Sequence, residues 1–397
     1  MPRLLLPNFT FEDQLTGRSS RETPETKRAA DELAPLMALL AEPGDTVIVR
    51  DSAIPAGLPD CLNHAQFRPL SADMNGARLV PWGWSSVAAE LAVSLGADKS
   101  EWPPIDVVRD VNSRRFSARF DDVAGSSDAG VPALDGGFGT LCSDRDEWRR
   151  AVSALAASGY DRWVAKPDIS HAGRNRLIAV GLELNAQQRG WLDKHLQLPG
   201  GVYVEPWVRT KAECGLQFEI GRDDSIDFLG ATELLNDPVG RYQGSIIRAA
   251  GEVDSRWMAA VEHGHRICRE AQHAGYFGPL GIDCMMYETA DGDSRLRLAN
   301  DVNGRFTMGR LALQLRTLLK SGEVAAWWHN SGSSPVQSEG SPEFSLSPCV
   351  AKNVRTVRTY PQSIGCRPVR ATSILYVCSG PEVLPSLLEL LRPGPTN

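Results

Sequence analysis

Leu296-Arg297-Leu298-Ala299-Asn300-Asp301-Val302-Asn303-Gly304-Arg305 is the stretch that decides how this chain reads. Alternate side chains of a β-strand share a face, so Asp301, Asn303 and Arg305 are expected to project together. Upstream, Gly278-Pro279-Leu280-Gly281-Ile282-Asp283-Cys284-Met285-Met286-Tyr287 reads as a partner strand with one more carboxylate, Asp283. Thr289-Ala290-Asp291-Gly292-Asp293 between them is a turn signal, and the two runs predict a hairpin. Such a hairpin brings Asp283 close to Asp301 and Asn303. Two carboxylates and an amide oxygen form a hard, all-oxygen set, which suits Mg²⁺ holding nucleotide phosphates. A solvated hairpin with ordinary surface acids is the commoner origin of an isolated D-x-N. Here Asp301 stands among Leu296, Leu298 and Val302, where an unpaired charge is costly, and the metal reading is preferred.

Working outward, the apolar strand Trp163-Val164-Ala165 ends in Lys166 and Pro167. A lysine at the rim of a buried sheet suits phosphate recognition, although a rim lysine alone is more often only snorkelling. The polar loop Asp168–Asn175, with Arg174, and the strand Arg176–Gly181 follow it, a layout able to fold over phosphates. The run Val204-Glu205-Pro206-Trp207-Val208 then reads as a strand entering a hinge-like turn. Its backbone offers the acceptor and donor that adenine needs, with Ile178 and Leu298 as candidate apolar walls. Glu213 is placed to accept from a ribose hydroxyl, and a plain surface carboxylate is an equal reading. Arg241 and Arg248, in and after the loop Glu233–Ser245, are candidates for holding a substrate carboxylate, and a plain surface loop is an equally open reading.

The first hundred residues alternate strands and helices. Arg3–Pro7, Thr46–Arg50 and Ala77–Pro81 read as strands, and Thr26–Ala41 and Val87–Leu95 as helices, the second capped by Ser85. This predicts a small parallel α/β domain. Trp82-Gly83-Trp84 lies at a strand's C-terminal end, where open α/β sheets tend to bind ligands; stacking on a substrate and packing on a neighbouring domain are both open to it. Further on, Asn112 or Ser113 is expected to cap a helix, and Ser143 another through Ala156. Arg256–Ala274 reads as a long helix.

With 397 residues, 42% hydrophobic and 23% charged, the composition is that of a soluble globular protein of several subdomains. A net charge of -7 and a pI near 5.6 argue against nucleic acid as the main partner. No apolar run reaches the length of about 18 residues that a membrane span needs. Eight scattered cysteines without a C-x-x-C pair point to reduced thiols and a cytoplasmic setting, and argue against a zinc site.

Taken in order, these motifs resemble the ATP-grasp superfamily over residues of about 105 to 320. The resemblance rests on Asn112-Ser113-Arg114, Val164-Ala165-Lys166-Pro167, Val204-Glu205-Pro206-Trp207-Val208, Gly281-Ile282-Asp283 and Asp301-Val302-Asn303-Gly304-Arg305. It implies an α/β protein: a small α/β domain over 1–104, then two α+β subdomains clamping ATP over 105–328, hinged near 205–208. A Ser-, Gly- and Pro-rich linker over 329–348 and a C-terminal segment, 349–397, packing on the core complete the expected layout. The resemblance further implies ATP on Arg114, Lys166, Glu205, Trp207, Val208 and Glu213, Mg²⁺ on Asp283, Asp301 and Asn303, and a catalytic Arg305 steadying the transferred phosphoryl group. The activity it implies is that of a carboxylate–amine, or carboxylate–thiol, ligase acting on small molecules, and a homodimer is compatible with it. Arg114 stands where lysine is usual, Asp301 where glutamate is usual, and the loop after Lys166 holds only Gly173. These departures leave open a catalytically inactive ATP-binding regulatory or scaffold protein, and a small-molecule kinase on the same fold.

Overall fold

Three larger sheets and a small three-stranded one organise the computed structural model, which describes residues 2–17, 23–121, 123–124, 138–170, 175–237, 239–249, 252–330 and 352–391. The first is parallel, with strands in the order Gln66–Arg68, Thr46–Ile48, Arg3–Leu6 and Arg78–Pro81. Ser85 caps the helix Ser86–Ser94 through its hydroxyl, as its position before an apolar run predicts. The region expected as one helix over Thr26–Ala41 is an α-helix, Pro24–Leu33, continued by a 3₁₀ segment, Ala34–Leu40, with Pro35 at the junction. Both tryptophans of the Trp-Gly-Trp turn are used in packing. Trp84 stacks on Trp102 at 5.2 Å and Trp82 meets Phe9 edge-on at 4.9 Å.

The second sheet is antiparallel: Thr140–Cys142, Val202–Pro206, Arg162–Pro167 and Leu177–Val180, in that spatial order. Alternation sorts its side chains. Trp163, Ala165, Leu177, Ala179, Val202 and Val204 form a core with Trp148, Val152, Leu155 and Leu192 of the helices Arg145–Ala157 and Ala186–Leu196. Val164, Lys166, Ile178, Tyr203 and Glu205 therefore share the opposite, helix-free face. The helix expected to be capped by Ser143 is capped by Asp144; Ser143 lies one residue outside and bonds Glu147 instead. Of the polar loop after Lys166, residues 171–174, Arg174 among them, lie outside the described residues.

The third sheet has nine strands, with Arg209–Ile220 and Gly278–Glu288 near its middle and Ser294–Asn303 beside them. The helix Met258–His273 covers one face, packing Ala260, Ile267 and Ala271 near Cys214, Leu216, Ile282 and Cys284. The C-terminal strands Val354–Arg358 and Thr372–Cys378 join this sheet beside Val324–Asn330, so the C-terminal segment is part of the sheet. His329 and Asn330, placed by the sequence reading in a linker, end a strand, and residues 331–348 of that linker lie outside the described residues. All seven cysteines among the described residues are free. No helix among them is long and apolar enough to cross a membrane.

Candidate functional site

The predicted hairpin forms, with a register shift between Asp283 and Met285. Asp283 pairs with Asp301 and Gly281 with Asn303, and the connecting turn is closed by Thr289 N–H donating to Asp293 O at 2.8 Å. Next door, Gly215 opposes Asp283 and Glu213 opposes Met285. Cross-strand partners share a face, so Asp301, Asn303, Asp283 and Glu213 lie on one side of the sheet, away from the helix Met258–His273. Gly215 matters here, because a Cβ there would come within 3.4 Å of Asp283 Oδ1. The Asn303 amide donates to Asp283 Oδ2 at 3.4 Å, and the Glu213 carboxylate accepts from the Asn236 amide.

Arg114 begins the helix Arg114–Ala118, whose N-cap is Ser113. Its guanidinium lies 2.8 Å from Asp301 Oδ1. Its charge also acts on Asp283, on Lys166 and on Glu205, so the electrostatics of the two sheets meet at Arg114. Backbone contacts fix this geometry: Arg114 N–H donates to Asp168 O at 2.8 Å, and Arg115 N–H to Asp168 Oδ1 at 3.2 Å.

On the second-sheet wall, Lys166 is ion-paired with buried Glu205. The other Glu205 oxygen accepts from Arg297 Nη2 at 3.0 Å. Arg297, 1% exposed, also donates to both oxygens of Asp121 at 2.6 Å and to Asn300 Oδ1 at 2.6 Å. Tyr203 donates to Asp121 at 2.8 Å, and Phe138 lies over the Arg297 guanidinium at 4.1 Å. Burial alone would raise the Glu205 carboxyl, but Lys166 and Arg297 outweigh it and hold it down at about 2. Burial lowers the Lys166 ammonium, with Glu205 opposing. Arg297 and Asp121 escaped the sequence reading, although Arg297 falls on the Asp301 face by alternation and is a charge in an apolar run.

Half-buried Asp283 behaves in the opposite way. Burial pushes its carboxyl up to about 7, and the charges of Asp301 and Glu213 push in the same direction. Two carboxylates whose mutual repulsion Arg114 only partly offsets, plus the Asn303 amide, form an oxygen-rich set that fits one divalent cation. No group of three His, Cys, Asp or Glu suited to a metal exists among the described residues.

Just past the strand Val202–Pro206, Trp207 N–H donates to Arg162 O at 2.9 Å. Trp207 meets the guanidinium groups of Arg162 at 5.5 Å and Arg176 at 5.2 Å.

Two expectations are corrected. Arg305 does not continue the alternation, because the strand ends at Asn303 and Asn112 clamps Gly304 through both its N–H and its C=O. Arg305 turns to the first domain instead, 2.9 Å from Glu12 Oε1 and over the Trp82 ring at 5.9 Å, while its charge still acts on Asp283. Arg248 lies three residues beyond Ser245, which pairs with Leu234 on the Glu213 row, so it faces the other way. It pairs there with Glu233 at 2.9 Å. Arg241 is exposed and bound to Asp237 at 2.7 Å, outside the Asp283–Lys166 grouping.

No family model and no curated protein matches the chain by sequence. Solved structures match its fold along almost the whole length. N5-carboxyaminoimidazole ribonucleotide synthetase from Thermus thermophilus is 15% identical with TM-score 0.53, covering 100% of both chains. N5-carboxyaminoimidazole synthetase from Staphylococcus aureus, complexed with ADP, is 12% identical with TM-score 0.54, over 98% of this chain and 96% of that one. Biotin carboxylase from Campylobacter jejuni, in a β,γ-ATP complex, is 10% identical with TM-score 0.54, over 98% and 90%.

Proposed function

The chain has the ATP-grasp fold, and we propose that it is an ATP-dependent ligase that activates a carboxylate as an acyl phosphate for attack by an amine. The observation that carries this reading is the Asp283–Asp301 pair with Asn303, with the Arg114 charge acting on both Asp283 and Lys166. ATP would lie between the two antiparallel sheets, its base at the hinge with Val208 N–H donating, and Glu213 near the ribose. Lys166 exchanges one of its contacts with Glu205 for the phosphates. Mg²⁺ would be held by Asp283, Asp301 and Asn303, where it supplies charge neutralisation for the γ-phosphoryl group. A substrate carboxylate oxygen attacks the γ-phosphorus and ADP leaves; the amine then attacks the carbonyl carbon and phosphate leaves. Arg114 adds positive charge beside the transferring group, so the protein's task is positioning and electrostatics rather than nucleophilic catalysis.

The ion pair between Arg114 and Asp301 favours a second reading, a nucleotide-binding protein without turnover, since one metal acid already has a cation. Hydroxylamine separates the two. With ATP, Mg²⁺ and a pool of metabolite acids but no amine, a ligase forms ADP and a hydroxamate. Absence of both from every pool supports the non-catalytic reading, and AMP in place of ADP removes the acyl phosphate route.

A further inference from the structure

We propose that Arg176 is a further nucleotide-binding residue, one that contacts the base and ribose end of the nucleotide and not its phosphates; this rests on the nucleotide reading given above. Arg176 immediately precedes the strand Leu177–Val180. Leu177 faces the helix-covered core, and Arg176, one residue before the strand, is placed by its own contacts. Its guanidinium lies 5.2 Å from the centre of the Trp207 ring at the end of the hinge. On its other side is Gly240, where a Cβ would stand 3.3 Å from Arg176 Nη1. Arg176 therefore lies between Trp207, just past the strand Val202–Pro206 of one sheet, and the loop that leads into the strand Tyr242–Arg248 of the other.

Its electrostatic setting is that of a cation without a dedicated partner. The carboxylates that act on it are Asp237, Glu213 and Glu205, with Arg241 opposing them. Each of these is already engaged: Asp237 with Arg241, Glu213 with Asn236, and Glu205 with Lys166 and Arg297. Among the described residues no carboxylate lies within 4.0 Å of the Arg176 guanidinium, and no side-chain hydrogen bond ties it down, whereas Arg114, Arg248 and Arg297 are each paired. A half-buried guanidinium with unused donors, stacked beside an aromatic ring, is suited to lie over a purine and donate to base or ribose acceptors. Its neighbours Trp207 and Glu213 mark the base and ribose end, and Lys166 and Asp283 mark the phosphate end. That separation assigns its partner.

Calorimetry on the full chain with Mg²⁺ tests this with two probes, a non-hydrolysable ATP analogue and inorganic tripolyphosphate. Arg176→Ala is expected to weaken the analogue at least tenfold and to change tripolyphosphate affinity less than twofold. Lys166→Ala is expected to weaken both. Arg176→Gln, which keeps much of the side chain's length, gives the same readout should the alanine variant fail to fold. Unchanged analogue affinity in the Arg176 variants overturns the proposal, as does an equal loss for both probes, which would place Arg176 on the phosphates. A wild-type protein that binds no nucleotide overturns the nucleotide reading and this inference with it.

Discussion

Glu205 and Asp283 are shielded carboxylates on two different sheets, both within reach of the Arg114 charge, and their environments drive them in opposite directions. Glu205 is buried between two cations, Lys166 and Arg297, and its carboxyl is held at about 2. Asp283 is beside two more acids, Asp301 and Glu213, and its carboxyl rises to about 7. The hinge cluster of Lys166, Glu205, Arg297 and Asp121 is balanced, two positive charges against two negative. The strand pair is left short of positive charge, with only Arg114 in direct contact. A balanced cluster holds a fold together, and an unbalanced one is prepared for something brought from outside. The difference separates framework from binding site within about the same volume of protein.

The largest expected effect breaks the framework side. Glu205→Gln or Arg297→Met leaves a buried charge unpaired and should cost about 3–5 kcal/mol of unfolding free energy in urea titrations. A loss within the error of the wild type would mean that the cluster is not the framework described. Glu205 also sets an acid limb. Its folded pKa lies below its unfolded value, so its contribution is present above about pH 4.5 and is lost as the pH falls toward 2. In Glu205→Gln that part of the stability-against-pH curve should flatten.

The site side should respond with the opposite sign. Asp283→Asn removes the repulsion with Asp301 and Glu213, and it should stabilise the metal-free protein by about 1–3 kcal/mol near pH 8, one pKa unit being worth about 1.4 kcal/mol. Because the native state keeps a proton that the unfolded state has released, wild-type stability should fall as the pH rises from about 4 to about 7. Thermal melts without metal check both the gain and the slope. A destabilised Asp283→Asn variant would show that Asp283 is part of the framework after all.

How much of this was legible in the sequence follows from how local each feature is. Asp283 and Asp301 were readable as neighbours, since two strands, a tight turn and strict alternation fix a hairpin within about 20 residues. Lys166 and Glu205 were readable singly, as strand-end residues, but their pairing depends on the register of two antiparallel strands. Asp121 and Arg297 are 176 positions apart in sequence, and no local pattern joins them. Arg305 was misplaced because alternation holds only while the strand lasts, and Asn112 ends it at Gly304 from far along the chain. The face of Arg248 was not legible, because the sequence reading treated its surroundings as a loop, whereas Tyr242–Arg248 is a strand.

Smaller effects sharpen the same contrast. Lys166→Ala should weaken nucleotide binding at least tenfold, roughly 1.4 kcal/mol, because Lys166 alone in the hinge cluster is partly exposed. Arg248→Ala, on the far face, should leave nucleotide affinity within twofold of wild type by calorimetry. A tenfold loss there would contradict the face assignment.

The most direct measurement is binding of a non-hydrolysable ATP analogue with and without Mg²⁺, in the wild type and in Asp283→Asn. If the Asp283–Asp301 pair holds the cation, Mg²⁺ should tighten wild-type binding at least tenfold and tighten the variant by less than twofold. Equal tightening in both proteins, or none in the wild type, would contradict the account.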